Sequence, residues 1–218
     1  MPRWGMVIDL RRCTGCQTCF VSCKVENFLP ADVYWNHVFD YETGEYPYVK
    51  RSFLPTLCMH CETPRCLEVC PSGATTQRPD GIVHVDYDTC IGCRYCMMAC
   101  PYQSRYYMKE IKSYFQAGPS DYEKFPYPLR ADFQKHDAGV VSKCTFCVSR
   151  IDHGLSRNLK PGTDPEATPV CVVNCPAQAR YFGDLADPAS QVAELIAKRA
   201  GYQLQPHLGT NPSVYYLK

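Results

Sequence analysis

Sixteen of the 218 residues are cysteines, and they fall into four groups of four with none left over. The first and third groups share the spacing C-x2-C-x2-C-x3-C, which is typical of segments that hold cubane iron–sulfur clusters. Because four thiolates hold each cubane, the count predicts four [4Fe–4S] clusters and a role in electron transfer. The groups are Cys13, Cys16, Cys19, Cys23; Cys58, Cys61, Cys66, Cys70; Cys90, Cys93, Cys96, Cys100; and Cys144, Cys147, Cys171, Cys175.

Disulfide bonds and zinc are the two alternative uses of so many cysteines. Disulfide scaffolds belong to oxidising compartments, and the N-terminal segment, which lacks a sufficiently long apolar stretch, predicts no signal peptide. Zinc ribbons also use C-x2-C steps, but a long loop separates their two pairs. Only the fourth group, with 23 residues between Cys147 and Cys171, has that form, so zinc remains an alternative there.

Two pairs of similar segments indicate an internal duplication. MVIDLRRCTGCQTC resembles HVDYDTCIGCRYC, and CPSGA, which begins at Cys70, resembles CPAQA, which begins at Cys175. Only 19 residues separate the second group from the third, and within them a strand is predicted at Gly81–Val85. The second and third groups therefore predict one compact ferredoxin-like unit.

The last cysteine of a run in a two-cluster ferredoxin binds the other cluster of the pair. This rule links the second group with the third and, by elimination, the first with the fourth. Pairing the first group with the second, and the third with the fourth, is the alternative, and it leaves the number of clusters unchanged. The predicted ligand sets are set a (Cys13, Cys16, Cys19, Cys175), set b (Cys23, Cys144, Cys147, Cys171), set c (Cys58, Cys61, Cys66, Cys100) and set d (Cys70, Cys90, Cys93, Cys96).

The predicted fold class is α+β, with two ferredoxin-like units related by internal duplication and with long irregular insertions. The outer unit comprises residues 1–45 and 109–218, and the central unit comprises residues 46–108. A hairpin is expected to turn at Thr43–Gly44, and the aromatic-rich segment 112–140 is expected to be an irregular insertion. Because the aliphatic core is thin, bound metal is expected to supply much of the folding free energy.

Regular structure outside the cysteine loops is clearest near the C-terminus. A helix is predicted from Pro188 to Ala200, with Asp187 as its N-cap. The tail that follows it is predicted to be extended and to lie over another element or subunit. His60 lies inside a C-x2-C step, but no cysteine is missing, so we expect it to be near a cluster without binding it.

The charge of the chain bears on its partners. The formal net charge is +1, and four clusters with their thiolates bring it to about −7, which argues against a nucleic-acid partner. We interpret Arg94 and Lys143 as candidates for offsetting cluster charge, with ordinary solvated charge as the alternative.

No run of roughly 18 apolar residues occurs, so no transmembrane helix is predicted. No motif for substrate catalysis stands out.

Five segments carry a family resemblance: CTGCQTCFVSCKVEN, LCMHCETPRCLEVCPSGA, CIGCRYCMMACPY, KCTFC and NPSVYYL. On these motifs, the chain resembles the iron–sulfur subunits of the molybdopterin oxidoreductase superfamily, which includes dimethyl sulfoxide, polysulfide, thiosulfate, tetrathionate and arsenate reductases. The resemblance covers nearly the whole chain and implies two ferredoxin-like folds with four cubanes in a line. Since all sixteen cysteines are present, it implies four [4Fe–4S] clusters.

The resemblance also implies two partners. One is a large catalytic subunit with a molybdenum or tungsten bis-pterin, and the other is often a membrane anchor that exchanges electrons with quinone. The expected function is electron relay between these partners, with a free polyferredoxin-type carrier as the alternative. The expected location is peripheral to the membrane through partners, on the cytoplasmic face or, after export with a signal-bearing partner, on the periplasmic face.

Overall fold

The computed structural model describes residues 1–120, 123 and 136–218, and in these residues short helices alternate with small sheets. About half of the predicted insertion 112–140 lies outside the described residues. The strands are β1 (Trp4–Asp9), β2 (Asn36–Thr43), β3 (Lys50–Leu57), β4 (Thr75–Gln77), β5 (Val83–Val85), β6 (Tyr106–Tyr107), β7 (Val141–Ser142), β8 (Arg180–Asp184) and β9 (Val214–Leu217). The helices are α1 (Thr18–Glu26), α2 (Arg65–Glu68), α3 (Tyr95–Met98), α4 (Val148–Ser156), α5 (Val170–Val173) and α6 (Gln191–Lys198).

A three-stranded sheet in the order β8-β1-β9 joins the two ends of the chain. All six residues of β1 are buried, as expected for a central strand that is covered on both faces. Strand β8 runs antiparallel to β1 and pairs Asp184 with Trp4. The tail, predicted to be extended, forms β9 and runs parallel to β1, with Val214 beside Met6.

Two antiparallel hairpins, of which the sequence predicted the first, lie outside this sheet, and β6 pairs with β7. Strands β2 and β3 pair up to Thr43 and Lys50, which confirms a hairpin that turns at Thr43–Gly44. Its base is largely buried and its tip is exposed. Strands β4 and β5 form a second antiparallel hairpin, and β5 confirms a strand within the segment predicted at Gly81–Val85.

The predicted C-terminal helix exists, but its predicted start was wrong. Helix α6 begins at Gln191, and the Ser190 side chain caps it by accepting a hydrogen bond of 3.2 Å from the backbone N–H of Ala193. Asp187 instead accepts from the backbone N–H of Ala189, so its carboxylate stabilises the turn that precedes the helix. The competing acceptor at Ser190 therefore sets the first helical turn.

The larger of two hydrophobic core clusters runs through much of the described part of the chain. It combines Met6 and Ile8 of the first strand with Trp35, Ile82 and Phe146. The core therefore includes residues from both expected units, and the expected boundary after residue 45 falls within the β2–β3 hairpin. No helix in the described part of the chain is long and apolar enough to cross a membrane.

A buried ion pair fastens α6 to the end of β1. Asp9 is only 2% exposed, and its carboxylate accepts hydrogen bonds from both terminal nitrogens of Arg199, one of them at 3.1 Å. It also accepts from the backbone N–H of Arg11. The hydrogen bonds from Arg199 hold the pKa of Asp9 below its usual value, although burial works against them.

We predict that Asp9→Asn lowers the free energy of unfolding of the cluster-loaded protein by about 1–3 kcal/mol, because Arg199 loses its charged acceptor. Since the folded-state pKa of Asp9 is lowered, its contribution is present above the usual carboxylate pKa and is lost as the pH falls through the lowered value. Chemical unfolding followed by circular dichroism at several pH values measures both effects.

The matched control is Asp40→Asn, which removes the carboxylate of an exposed pair with Arg51 on the hairpin. Exposed ion pairs contribute little because water screens them. Equal losses of stability in the two variants would contradict a special role for the buried pair.

Candidate iron–sulfur cluster sites

The first and third cysteine groups fold with the same local backbone conformation. Gly15 and Gly92 have φ values of +69° and +66°, and Gln17 and Arg94 have values of +63° and +65°. A Cβ atom on Gly92 would lie 2.0 Å from the carbonyl oxygen of Gly139, so this position requires glycine. These left-handed residues alternate with the cysteines and curl each loop around one space.

Set a surrounds the first of these spaces. Cys13, Cys16, Cys19 and Cys175 all line one pocket of about 340 Å³ that is partly open to solvent. The pairing of β1 with β8 brings them together, because Cys13 follows β1 and Cys175 precedes β8. The backbone N–H of Ala179 lies 3.3 Å from the sulfur of Cys175 and donates to it.

Set d is built in the same way by the smaller β4–β5 hairpin. Cys70, Cys90, Cys93 and Cys96 line a pocket of about 300 Å³. Cys70 precedes β4 and Cys90 follows β5, so the hairpin closes the set. The backbone N–H of Thr75 donates to the sulfur of Cys70 at 3.4 Å.

Set b is the most buried of the four. Cys23 on α1 meets Cys144, Cys147 and Cys171, and all four side chains are buried. Burial raises the pKa of Cys23 well above its usual value, and the three neighbouring thiols raise it further. The side-chain amide of Asn27 lies 3.6 Å from the sulfur of Cys23 and 3.9 Å from that of Cys147.

Set c gathers the three leading cysteines of the second group and the last cysteine of the third. Burial raises the pKa of Cys61 to about 12, and Cys58, Cys66 and Cys100 are the neighbouring thiols that add to this. A zinc site in the fourth group would require all four of its cysteines to meet at one point. Cys175 lies in set a instead, so the fourth group does not form such a site.

The four sets are linked in the order a, b, c, d by pairs of neighbouring thiols. The linking pairs are Cys19 with Cys171, Cys58 with Cys144, and Cys66 with Cys96. In each pair, burial is the main reason that the pKa of the thiol named second is raised, and the thiol named first raises that pKa further.

These spaces suit a [4Fe–4S] cluster by donor type and by surroundings. Each has four cysteine sulfurs around it, and in sets a, b and d backbone or amide N–H groups point at the sulfurs, as they do around cluster thiolates. A buried thiol with a raised pKa stays protonated when no metal is bound. Iron then takes the place of that proton when the cluster binds. Among the described residues, no group of His, Cys, Asp or Glu side chains is arranged to hold a single metal ion.

His60, inside the Cys58–Cys61 step, is buried and has a packing role. Its Nδ1 accepts a hydrogen bond of 3.1 Å from the backbone N–H of Val83. Its ring stacks on Phe146 with the centroids 3.8 Å apart.

Sequence reasoning missed two buried arginines, Arg105 and Arg180, that lie against the cysteine sets. Each occupies the same place in a pair of similar segments, CPYQSRYY from Cys100 and CPAQARYF from Cys175. That repetition is the signal that identifies them. Of the two basic residues singled out from the sequence, Lys143 is buried and Arg94 is exposed.

Comparison with known proteins identifies the family of the chain. Residues 49–117 match the model of the 4Fe-4S dicluster domain family. A putative iron-sulfur subunit of dimethyl sulfoxide reductase from Halobacterium salinarum is 42% identical, and the match covers 100% of this chain and 79% of the relative. The arsenate respiratory reductase iron-sulfur subunit of Shewanella sp. (strain ANA-3) is 35% identical over 99% of this chain and 96% of its own length.

A third relative has a name that refers to a quinone. The iron-sulfur cluster-binding subunit of menaquinone reductase from Nitratidesulfovibrio vulgaris is 38% identical, and the match covers 99% of this chain and 88% of that subunit. These similarities extend over the whole chain and include the segments that surround all four cysteine sets. The chain therefore belongs to the family of electron-transferring iron–sulfur subunits found in dimethyl sulfoxide reductase-type oxidoreductases.

Proposed function

We propose that the chain relays electrons through four [4Fe–4S] clusters between a molybdenum or tungsten bis-pterin catalytic subunit and a quinone-linked membrane anchor. The observation that carries this proposal is the arrangement of the sixteen cysteines as four sets that follow one another from one end to the other. A bound [4Fe–4S] cluster takes up and gives back one electron at a time. Sets a, b, c and d, as defined above, are the proposed ligands of one cluster each.

The two terminal sets are the proposed points of electron entry and exit. Cys16 of set a and Cys93 of set d are the two exposed cysteines among the sixteen. Exposed apolar side chains lie on the helices that carry Cys19 of set a and Cys96 of set d, with Val21 on α1 54% exposed and Met98 on α3 76% exposed. Exposed apolar patches on a protein surface are typical of docking sites. A chain with two such ends supports a relay between two different partners.

We further infer that the chain consists of two ferredoxin-like units related by duplication, with an outer unit of residues 1–45 and 109–218 and a central unit of residues 46–108. The similar φ values in the first and third cysteine groups support this inference. So does the repeated arrangement in which an antiparallel strand pair, β1–β8 or β5–β4, closes a terminal set.

Attachment to a membrane through partners, on the cytoplasmic or the periplasmic face, is the corresponding proposal for location. The name of the menaquinone reductase relative supports a quinone-linked partner. A free polyferredoxin-type carrier is the second candidate function. The apolar surfaces at both ends suit stable docking better than transient encounters.

We predict that the protein purified from its native host carries about 16 iron and 16 sulfide ions per chain and copurifies with a pterin-containing subunit. Metal analysis and mass spectrometry of the purified complex test this. A stable single chain with reversible reduction would favour the polyferredoxin, and a colourless zinc protein would contradict both functions.

We predict that Cys23→Ser disturbs only the cluster held by Cys144, Cys147 and Cys171, since the serine oxygen is a poor substitute for the thiolate in that set. The electron paramagnetic resonance spectrum of the reduced complex should lose or change one signal. The matched variant Cys61→Ser should change a different signal, which belongs to set c. If Cys23→Ser damaged a cluster of the second and third groups, the proposed ligand sets would be wrong.

We predict that Met98→Glu and Val21→Glu slow electron exchange at opposite ends, each by about tenfold, because a charge in an apolar contact opposes docking. Rapid-mixing kinetics separates reduction of the complex by quinol from its oxidation by the catalytic subunit's substrate. Each variant should slow one of these reactions and leave the cluster signals intact. Equal slowing of both reactions by both variants would contradict separate entry and exit surfaces.

A further inference from the structure

A buried cationic side chain lies at the step between sets a and b. Arg180 is 4% exposed and lines the pocket of set a. Its guanidinium donates a hydrogen bond of 3.0 Å to the side-chain oxygen of Asn36 and lies 3.8 Å from the sulfur of Met6. Its positive charge acts on Cys171 of set b as well as on Cys13 of set a.

Arg105 occupies the corresponding place between sets c and d. It is 3% exposed, lines the pocket of set d and donates a hydrogen bond of 3.1 Å to the Thr75 hydroxyl. Its other terminal nitrogen has no hydrogen-bond partner among the described residues. Among the cysteines, Cys66 of set c and Cys96 of set d have the strongest electrostatic interaction with Arg105.

Lys143 provides the third cation, between sets b and c. Its side chain is 1% exposed, and its ammonium group donates to the backbone carbonyls of Cys144, at 2.8 Å, and of Val83. Cys144 belongs to set b, and the charge of Lys143 also acts on Cys66 of set c. Every step along the series of sets therefore contains one buried cation.

These three cations lack carboxylate partners in the described part of the chain, where none of them takes part in an ion pair. Burial without a counter-charge costs a cation several kcal/mol. The charge that balances these three buried cations is therefore the negative charge of the cysteine sets.

We propose that Arg180, Lys143 and Arg105 set the reduction potentials of the clusters pairwise, each acting on the two sets between which it lies. This inference rests on the proposed function, in which every set holds a [4Fe–4S] cluster. Reduction adds one negative charge to a site that is already negative, and neighbouring reduced clusters repel each other. A cation buried between them favours the reduced form of both, and little water is present to screen it.

The test is a redox titration of the purified complex, followed by electron paramagnetic resonance, for the variants Arg180→Gln, Lys143→Gln and Arg105→Gln. The signals are assigned beforehand with Cys23→Ser for set b and Cys61→Ser for set c, as above, and with Cys16→Ser for set a and Cys93→Ser for set d. We expect Arg180→Gln to lower the potentials of sets a and b, Lys143→Gln those of b and c, and Arg105→Gln those of c and d. The expected shift is at least about tenfold in the ratio of reduced to oxidised cluster, or ~59 mV for a one-electron couple.

Lys198→Gln is the control, because Lys198 is exposed, pairs with Glu194 and lines neither of the pockets of sets a and d. Solvent screens its charge, so the potentials of all four clusters should stay the same. Arg105→Lys, Arg180→Lys and Lys143→Arg keep the charge and should retain the wild-type potentials. If a glutamine variant fails to assemble, restoration of the iron content by its charge-conserving counterpart supports the proposal, and failure of both variants to bind iron overturns it in favour of a purely steric role.

The pattern of shifts separates this inference from the function on which it rests. Shifts that are absent, or that are equal at all four clusters, overturn the pairwise action of the cations while the four-cluster relay stands. A wild-type complex without four cluster signals refutes the proposed function itself, whatever the variants show.

Discussion

Four thiolates must meet around one space before a cubane cluster can be held, and in this chain they come from segments that are far apart in sequence. Set a combines Cys13 with Cys175, and set b combines Cys23 with Cys144. The first and last segments must therefore lie side by side, which the pairing of β1 with β8 achieves. The C-terminal strand β9 and the ion pair between Asp9 and Arg199 then hold this arrangement in place.

The same requirement creates an electrostatic problem inside a small core. Sixteen sulfur donors are packed in one chain, and most of them are wholly or partly buried. N–H groups directed at the sulfurs offset part of the negative charge near individual cysteines such as Cys70 and Cys175. The cations buried between sets are placed where two negative sites face each other. A relay along closely spaced clusters needs this second kind of compensation, because each electron that enters raises the cost of the next one nearby.

Several elements were predictable from the sequence because they depend on local chemistry. The hairpin at Thr43–Gly44, the strand before the third cysteine group and the extended tail all formed as expected. The start of α6 was misplaced because both Asp187 and Ser190 are good caps, and only the packing of the helix on the sheet selects between them. Arg105 and Arg180 were missed because an isolated arginine near a cysteine is more often a solvated surface charge.

The sequence was enough to predict the number and type of cofactors and the family, because cysteine count and C-x2-C spacing are properties of the covalent chain. It also carried the repeated glycines, Gly15 and Gly92, that let each loop curl. The tertiary structure was needed to show which distant cysteines share a space, since β1–β8 pairing is a long-range contact that spacing leaves open. It likewise decided which cations are buried between sets, because burial depends on everything that packs around a side chain.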